Sequence, residues 1–443
     1  MKEKLGGGKI LSLSLMLFAM FFGAGNMIFP PALGQQAGTN FISGVLGFMV
    51  TDAGLSVLGI AAIVLVGTNL NDLGAKVSPK FAAAPGIVVY LLIGPLFALP
   101  RTGTVSFEMA AAPFLPEGAP GFLVSLLFTA VFFLVTYLLC LNPSKLVDVV
   151  GKILTPVLLV SIAVIFAGCF MDPGGAIGAP VGDYATMPFF KGMVEGYLAL
   201  DGLAALAFAI VVINTIRDYG VKEPGNIAKY TLITGVFAGI GLGITYLALG
   251  YVGAVTSSAA LFENGGKLLA AVTNQLFGYA GNIILGVAVL LACLTTSIGL
   301  ASSFSDYFQT ILPRFSYKQI LLVVCLFSFA VSNVGLTAMI KITLPALIMI
   351  YPPVITLVLL SFADRLIGGK AECYALSMIL AFLVGILNGL ENAGLSLGYL
   401  GELAARIPLY TLGVGWIVPA IVGCLIGLLP FVRFLKSVPV KRV

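Results

Sequence analysis

Apolar runs of about twenty residues follow one another along almost the whole chain with only short breaks, and a helix needs about 20 apolar residues to cross a bilayer's hydrocarbon core. On that criterion the sequence predicts about twelve transmembrane helices, near residues 10–31, 40–67, 85–112, 119–141, 146–171, 189–213, 228–253, 268–302, 319–334, 337–361, 373–391 and 408–431. The run 268–302 is too long for one simple span, so it is either tilted or led into by an interfacial helix. Composition supports the same reading. Residues are 60% hydrophobic and only 9% charged, where a soluble domain has about 25% charged. So few charges cannot cover a wet surface, and lipid must face most of it. The expectation is one all-α polytopic membrane domain over residues 1–443.

Basic residues test this map, because cytoplasmic loops of membrane proteins are enriched in lysine and arginine. With the N-terminus inside, most of the 23 basic residues fall in cytoplasmic segments. These include Lys2, Lys4 and Lys9; Lys76 and Lys80; Lys145 and Lys152; Arg217, Lys222 and Lys229; Arg314 and Lys318; Arg365 and Lys370; and Arg433, Lys436, Lys441 and Arg442. The loops 32–39 and 113–118 hold none. An even number of spans with both termini cytoplasmic follows. Lys2, Lys4 and Lys9 ahead of an apolar run also resemble a signal peptide, but the run continues to Pro30 and further spans follow.

Several function classes fall away. The chain has no histidine, which removes His-ligated metals, a Ser-His-Asp triad and a histidine proton relay. Its six cysteines are scattered through apolar runs, neither a zinc pattern nor a disulfide framework. No basic tract suits nucleic acid. An enzyme would need paired acid–base or metal-binding groups, and a channel would need a continuous polar lining. Neither is evident, so the expectation is a secondary transporter with no catalytic residues and no cofactor.

Two spans are interrupted. The first reads LMLFAMFFGAGNMIFPPALG, with Gly23, Gly25 and Asn26 near its middle and Pro30 and Pro31 behind. Glycine and proline weaken a helix here, and unwound backbone within a membrane is costly unless it lines a cavity. Small residues also serve close helix packing. The sixth span holds Asp201 beside Gly202, with Glu195 and Gly196 just before. An ionisable residue at that depth is a functional candidate; Glu195 suits a helix end better. Broken helices five spans apart predict two inverted five-helix repeats, residues 10–171 and 189–361, with the substrate held between them near the midplane. Residues 373–431 form two extra helices. At such breaks, free N–H groups attract a carboxylate and free carbonyls attract a cation. Thr295, Thr296 and Ser297 in the eighth span offer consecutive hydroxyls to a cation, although such hydroxyls often bond their own helix.

Several stretches resemble the bacterial branched-chain amino acid:cation symporters: FFGAGNMIFPPALGQQAG at 21–38, GPLFALPRTGTVSFEMA at 94–110, GYLALDGLAALAFAIVVIN at 196–214, ACLTTSIGL at 292–300, and SNVGL followed by IYPP at 332–353. The resemblance implies import of leucine, isoleucine and valine with a cation, usually sodium, across the cell inner membrane. It also implies the LeuT-like five-plus-five fold of the amino acid–polyamine–organocation superfamily. By motif match, sodium would be held by Ala19, Phe22, Ala292, Thr295 and Thr296. The substrate carboxylate would meet N–H groups around Ala24 and Gly25, with Gly23, Asn26 and Asp201 beside it. A second sodium site in some superfamily members uses the asparagine matching Asn26.

Arg101 and Glu108, seven residues apart on the third span, lie about two turns apart on one face. They are candidates for coupling or gating. Asp52 and Lys341 are less informative and either fits an interface. Phe21, Phe22, Met27 and Phe208 are candidates for an apolar pocket. A proton-coupled carrier of another small amino acid or organic solute, using Asp201 or Glu108, is the alternative to sodium coupling.

Overall fold

The structure, a computed structural model, describes residues 4–66, 70–116, 120–141, 155–172, 175–258 and 261–432. Lys2, Lys145, Lys152, Arg433, Lys436, Lys441, Arg442 and the start of the expected fifth span (146–154) lie outside the described residues. The described residues are all-helical, without strands. Seven helices are each long and apolar enough to span a membrane, an eighth span is a bent pair, and four shorter apolar helices accompany them. Each of the twelve expected spans overlaps one of these segments, the second half of the first lying with the second in the segment Ala24–Val66.

The first span breaks where its glycines lie. One helix, Gly7–Phe21, ends as Phe22 and Gly23 turn to extended backbone, and a second runs Ala24–Ala37. A Cβ on Gly23 would lie 2.5 Å from the Thr296 hydroxyl, so only glycine lets the first and eighth spans approach this closely. Pro30 and Pro31 sit inside the second half. Lacking N–H groups, they leave the Asn26 and Met27 carbonyls without their usual intrahelical donors.

The sixth span breaks likewise. Pro188–Gly196 gives way to a tight turn, Tyr197–Ala199, before Asp201–Asp218 begins, and the halves bend by 46°. Leu200, at the joint, takes a left-handed φ of 74°, a conformation that costs a non-glycine residue roughly 1–2 kcal/mol.

Two other spans widen without breaking. The second passes from Phe41–Met49 to Leu55–Val66 through a π-turn at Val50–Gly54, and the third carries one at Leu92–Leu96 before Ala98–Ala110. The long eighth segment, Gly265–Ile311, kinks at Gly278, where φ is 57°. Residues 265–277 therefore form an arm leading into the span proper, so of the two readings of that run the leading helix is correct. The last two spans, Ala371–Asn392 and Ile417–Leu428, pack against each other and the former against Leu336–Phe362.

Candidate substrate and cation site

The two broken spans face each other across a small cavity of about 20 Å³. Gly23, Ala24, Gly25, Asn26 and Asp201 all line it, joined by Arg101 and Thr296. All five sequence candidates for substrate contact therefore come together. The polar wall is backbone as much as side chain. The amides of Ala24 and Gly25 open the second half of the first span, and the first turn of a helix has no intrahelical acceptors for its N–H groups. Asp201 and Gly202 open the sixth span's second half in the same way. The apolar wall includes Phe21, Phe208, Met20 and Leu300. Phe21 and Phe208 thus stand where the sequence suggests. Phe22 does not line the cavity; it stacks on Phe18 at 5.3 Å between centroids.

A volume of 20 Å³ holds about one water molecule. An aliphatic side chain therefore needs the walls to part, and the site is drawn here in a contracted form.

Arg101 is buried and donates to the carbonyls of Leu198, at 2.6 Å, and Ala199, at 3.1 Å. These carbonyls end the sixth span's first half, so the guanidinium caps acceptors that the break leaves free. Its plane lies over Phe29, 5.2 Å from the ring centre. A Cβ on Gly25 would meet the guanidinium at 2.7 Å. Glu108, seven residues on, does not reach this cavity; it lines a separate one.

Behind the cavity lies a network that local sequence did not reveal. Asn26 donates to Asp201 and to the Tyr246 hydroxyl, both at 2.5 Å, and accepts from the Gly23 amide at 3.0 Å. Tyr246 donates to Asp52 and lies 3.3 Å from Asp201. Asp52, which the sequence left uninformative, is fully buried on the π-turn at Val50–Gly54. Lys341, by contrast, is exposed. One phenol thus stands between two buried carboxylates from the second and sixth spans. The Asn26 carboxamide oxygen is already engaged by Gly23, so a cation there would have to compete with that capping bond.

The expected cation ligands converge on the other side of the first break. Thr295 donates to the Ala19 and Ala292 carbonyls, both at 2.9 Å. Thr296 lies 3.4 Å from the Ala19 carbonyl and 3.0 Å from that of Met20. Ala19, Ala292, Thr295 and Thr296 are therefore neighbours, and all are buried. The Met20 carbonyl is a further first-span acceptor beside Ala19, and Phe22, at the end of the helix, is buried too. Hydroxyl and carbonyl oxygens at one helix break are hard ligands of the kind alkali cations take, so this donor set fits sodium. Among the described residues no group of three or more Cys, Asp or Glu side chains forms a metal site.

Comparison with solved structures places the architecture. A nucleobase-cation-symport-1 family transporter, Mhp1, in a closed conformation with bromovinylhydantoin bound, superposes with a TM-score of 0.60, covering 95% of this chain and 91% of its own at 15% identity. MhsT in complex with L-phenylalanine gives 0.53, covering 93% and 98% at 17% identity. The fold is therefore the LeuT-like fold of these transporters, built around two broken helices.

The chain belongs to the family described as branched-chain amino acid transport protein, which it matches over residues 7–433. Among its relatives, the branched-chain amino acid permease BraB of Bacillus subtilis is 46% identical over 429 residues, 96% of each chain. The permease BrnQ of the same organism is 42% identical, covering 96% of this chain and 98% of its own. BrnQ of Escherichia coli is 37% identical, covering 95% of both.

Proposed function

We propose that this chain imports leucine, isoleucine and valine by sodium symport, alternating access to the cavity between its two broken spans. The observation that carries the cation assignment is the pairing of Thr295 and Thr296 with the Ala19 and Met20 carbonyls at the first break. Thr296 also lines the substrate cavity, so one residue touches both sites. In this reading, sodium replaces the hydroxyl protons as the partner of those carbonyls and draws the first and eighth spans together. The Ala24 and Gly25 amides take the substrate carboxylate, the Asp201 side takes its ammonium, and Phe21 and Phe208 meet the aliphatic chain. Residues 10–171 and 189–361 act as the two repeats, and both termini face the cytoplasm of the cell inner membrane.

A second reading, proton coupling, draws on the two carboxylates flanking Tyr246. One experiment separates the two: labelled leucine uptake into proteoliposomes, under an inward sodium gradient without a pH gradient or under a proton gradient without sodium. Sodium-driven uptake that Thr296→Val abolishes is expected. Uptake driven only by protons removes sodium and moves the coupling site to Asp52 and Asp201. No uptake under either gradient refutes the substrate assignment.

A further inference from the structure

Arg101 lines the central cavity at 4% exposure, and its charge is met there by carbonyls alone. Nη1 donates to Leu198 and Nη2 to Ala199, while Nε has no hydrogen-bond partner. Among the described residues no carboxylate lies within ion-pair distance of it. Asp201, the acid on the same cavity wall, gives its Oδ2 to Asn26 and Tyr246. Buried charges are ordinarily paired, because taking an ion out of water is costly. A guanidinium also offers a fork of parallel N–H donors that matches a carboxylate, and here that match is unused.

The guanidinium sits between the two breaks. A Cβ on Gly25 would lie 2.7 Å from Nη2 and 3.1 Å from the Ala199 Cα. A carboxylate held by the Ala24 and Gly25 amides would therefore lie beside Nη2. An ammonium reaching for the sixth-span carbonyls would meet the guanidinium already on them. Those carbonyls end a half-helix, where the backbone dipole favours a cation, and an ammonium has three donors to offer. The two cations are rivals for one pair of acceptors, in a cavity of about 20 Å³. An amino acid resolves the rivalry, because it brings an acceptor for the guanidinium along with a donor for the carbonyls. A ligand with one end only does not. An amine would displace the guanidinium and leave it unpaired, and an acid would draw it off and leave the carbonyls bare.

We propose that Arg101 is a specificity-determining residue. In the contracted site its guanidinium holds the Leu198 and Ala199 carbonyls. An entering amino acid takes those carbonyls with its ammonium and receives the guanidinium on its carboxylate. The inference rests on the amino acid substrate reading above and adds to it the reason both ends of the substrate are required together.

The test is isothermal titration of three ligands into the purified full-length chain in detergent with sodium. They are leucine, 3-methylbutylamine, which lacks the carboxylate, and 4-methylpentanoate, which lacks the ammonium. The wild type should bind leucine better than either of the others. In Arg101→Gln, leucine and the acid should weaken at least about tenfold, the size of one hydrogen bond to a charged group. The amine should tighten by a similar factor, since no guanidinium competes for its carbonyls. Arg101→Lys offers one donor group to two carbonyls and no fork; it should move each ligand in the same direction by less, and it serves if Arg101→Gln fails to fold. Shifts of opposite sign cannot come from a loosened fold, which weakens all three ligands. Equal losses of leucine and amine would make Arg101 a prop for the sixth span and overturn the inference, as would an unchanged affinity for either. Failure of leucine to bind the wild type overturns the substrate reading as well.

Discussion

Replacing Tyr246 by phenylalanine removes a single oxygen, but that oxygen accepts from Asn26 and donates to Asp52. Interhelical hydrogen bonds in membranes average about 0.6 kcal/mol, so two lost bonds alone would cost about 1 kcal/mol. The geometry argues for more. Asp52 Oδ1 already has no hydrogen-bond partner, and Oδ2 depends on the tyrosine. The variant takes the phenol donor away from a fully buried carboxylate, and leaving a buried acceptor without its donor costs about 1–3 kcal/mol, more for a charged group. The carboxylate that loses its donor therefore dominates, and Tyr246→Phe should lose about 2–3 kcal/mol in unfolding by SDS in mixed micelles, followed by circular dichroism. Asp52→Asn removes the charge that would be stranded, so the double variant should lose clearly less than the sum of the singles. A coupling of about 1–3 kcal/mol is expected. Additivity of the two substitutions within about 0.5 kcal/mol would mean that Tyr246 does not serve Asp52, and the argument fails.

Three further outcomes follow from the same geometry. Gly25→Ala places a Cβ 2.7 Å from the Arg101 guanidinium and 3.1 Å from Ala199; leucine binding should fall by more than about tenfold, or about 1.4 kcal/mol, while gel filtration stays monodisperse, and unchanged affinity would place the substrate elsewhere. Phe208→Ala removes one apolar wall of a 20 Å³ cavity. Competition uptake should then favour methionine or phenylalanine over valine by about tenfold relative to wild type, and an unchanged ratio would mean that Phe208 does not face the substrate. Gly278→Ala meets no atom within 4 Å but must adopt a φ of 57°, so it should cost roughly 1–2 kcal/mol of stability purely through the backbone. A thermal shift no larger than that of Gly8→Ala, an exposed helix-start glycine, would show that the arm's kink relaxes freely.

What sequence could show depended on whether the signal was local. The first break was legible because Gly23, Gly25 and Pro30 violate helix rules within eight residues of one another. Asp201 stood out as a charge in an apolar run, beside a glycine. Asp52 is also a charge in an apolar run, VTDAGLSV, but hydropathy fixes depth only loosely, and an interface fits it as well as a site does. Its partner Tyr246 lies 194 residues away, and nothing in either local pattern encodes that pairing. The Arg101 contact with Leu198 and Ala199 is equally non-local; the arginine was visible and its partners were not. Ala19, Ala292, Thr295 and Thr296, expected from the motif to hold a cation, are neighbours in the fold. That the Met20 carbonyl also meets Thr296 depends on where the helix ends, which spacing does not resolve at single-residue precision.

The π-turn at Val50–Gly54 has a consequence for how the second span can vary. Such a turn is one residue inserted into an α-helix, and each residue advances the helix by about 100°. Leu46 before it, Val50 at its start, and Leu58 and Leu65 beyond it are all lipid-facing, between 38% and 57% exposed. Loss of any single residue from the turn would close it to a regular helix and rotate one half of the span by about 100° against the other. Either Asp52 would leave Tyr246, or an apolar flank would turn away from lipid. The segment therefore tolerates substitution at many positions but not a change of length, and a scan of single-residue deletions through residues 46–58 should find no functional member.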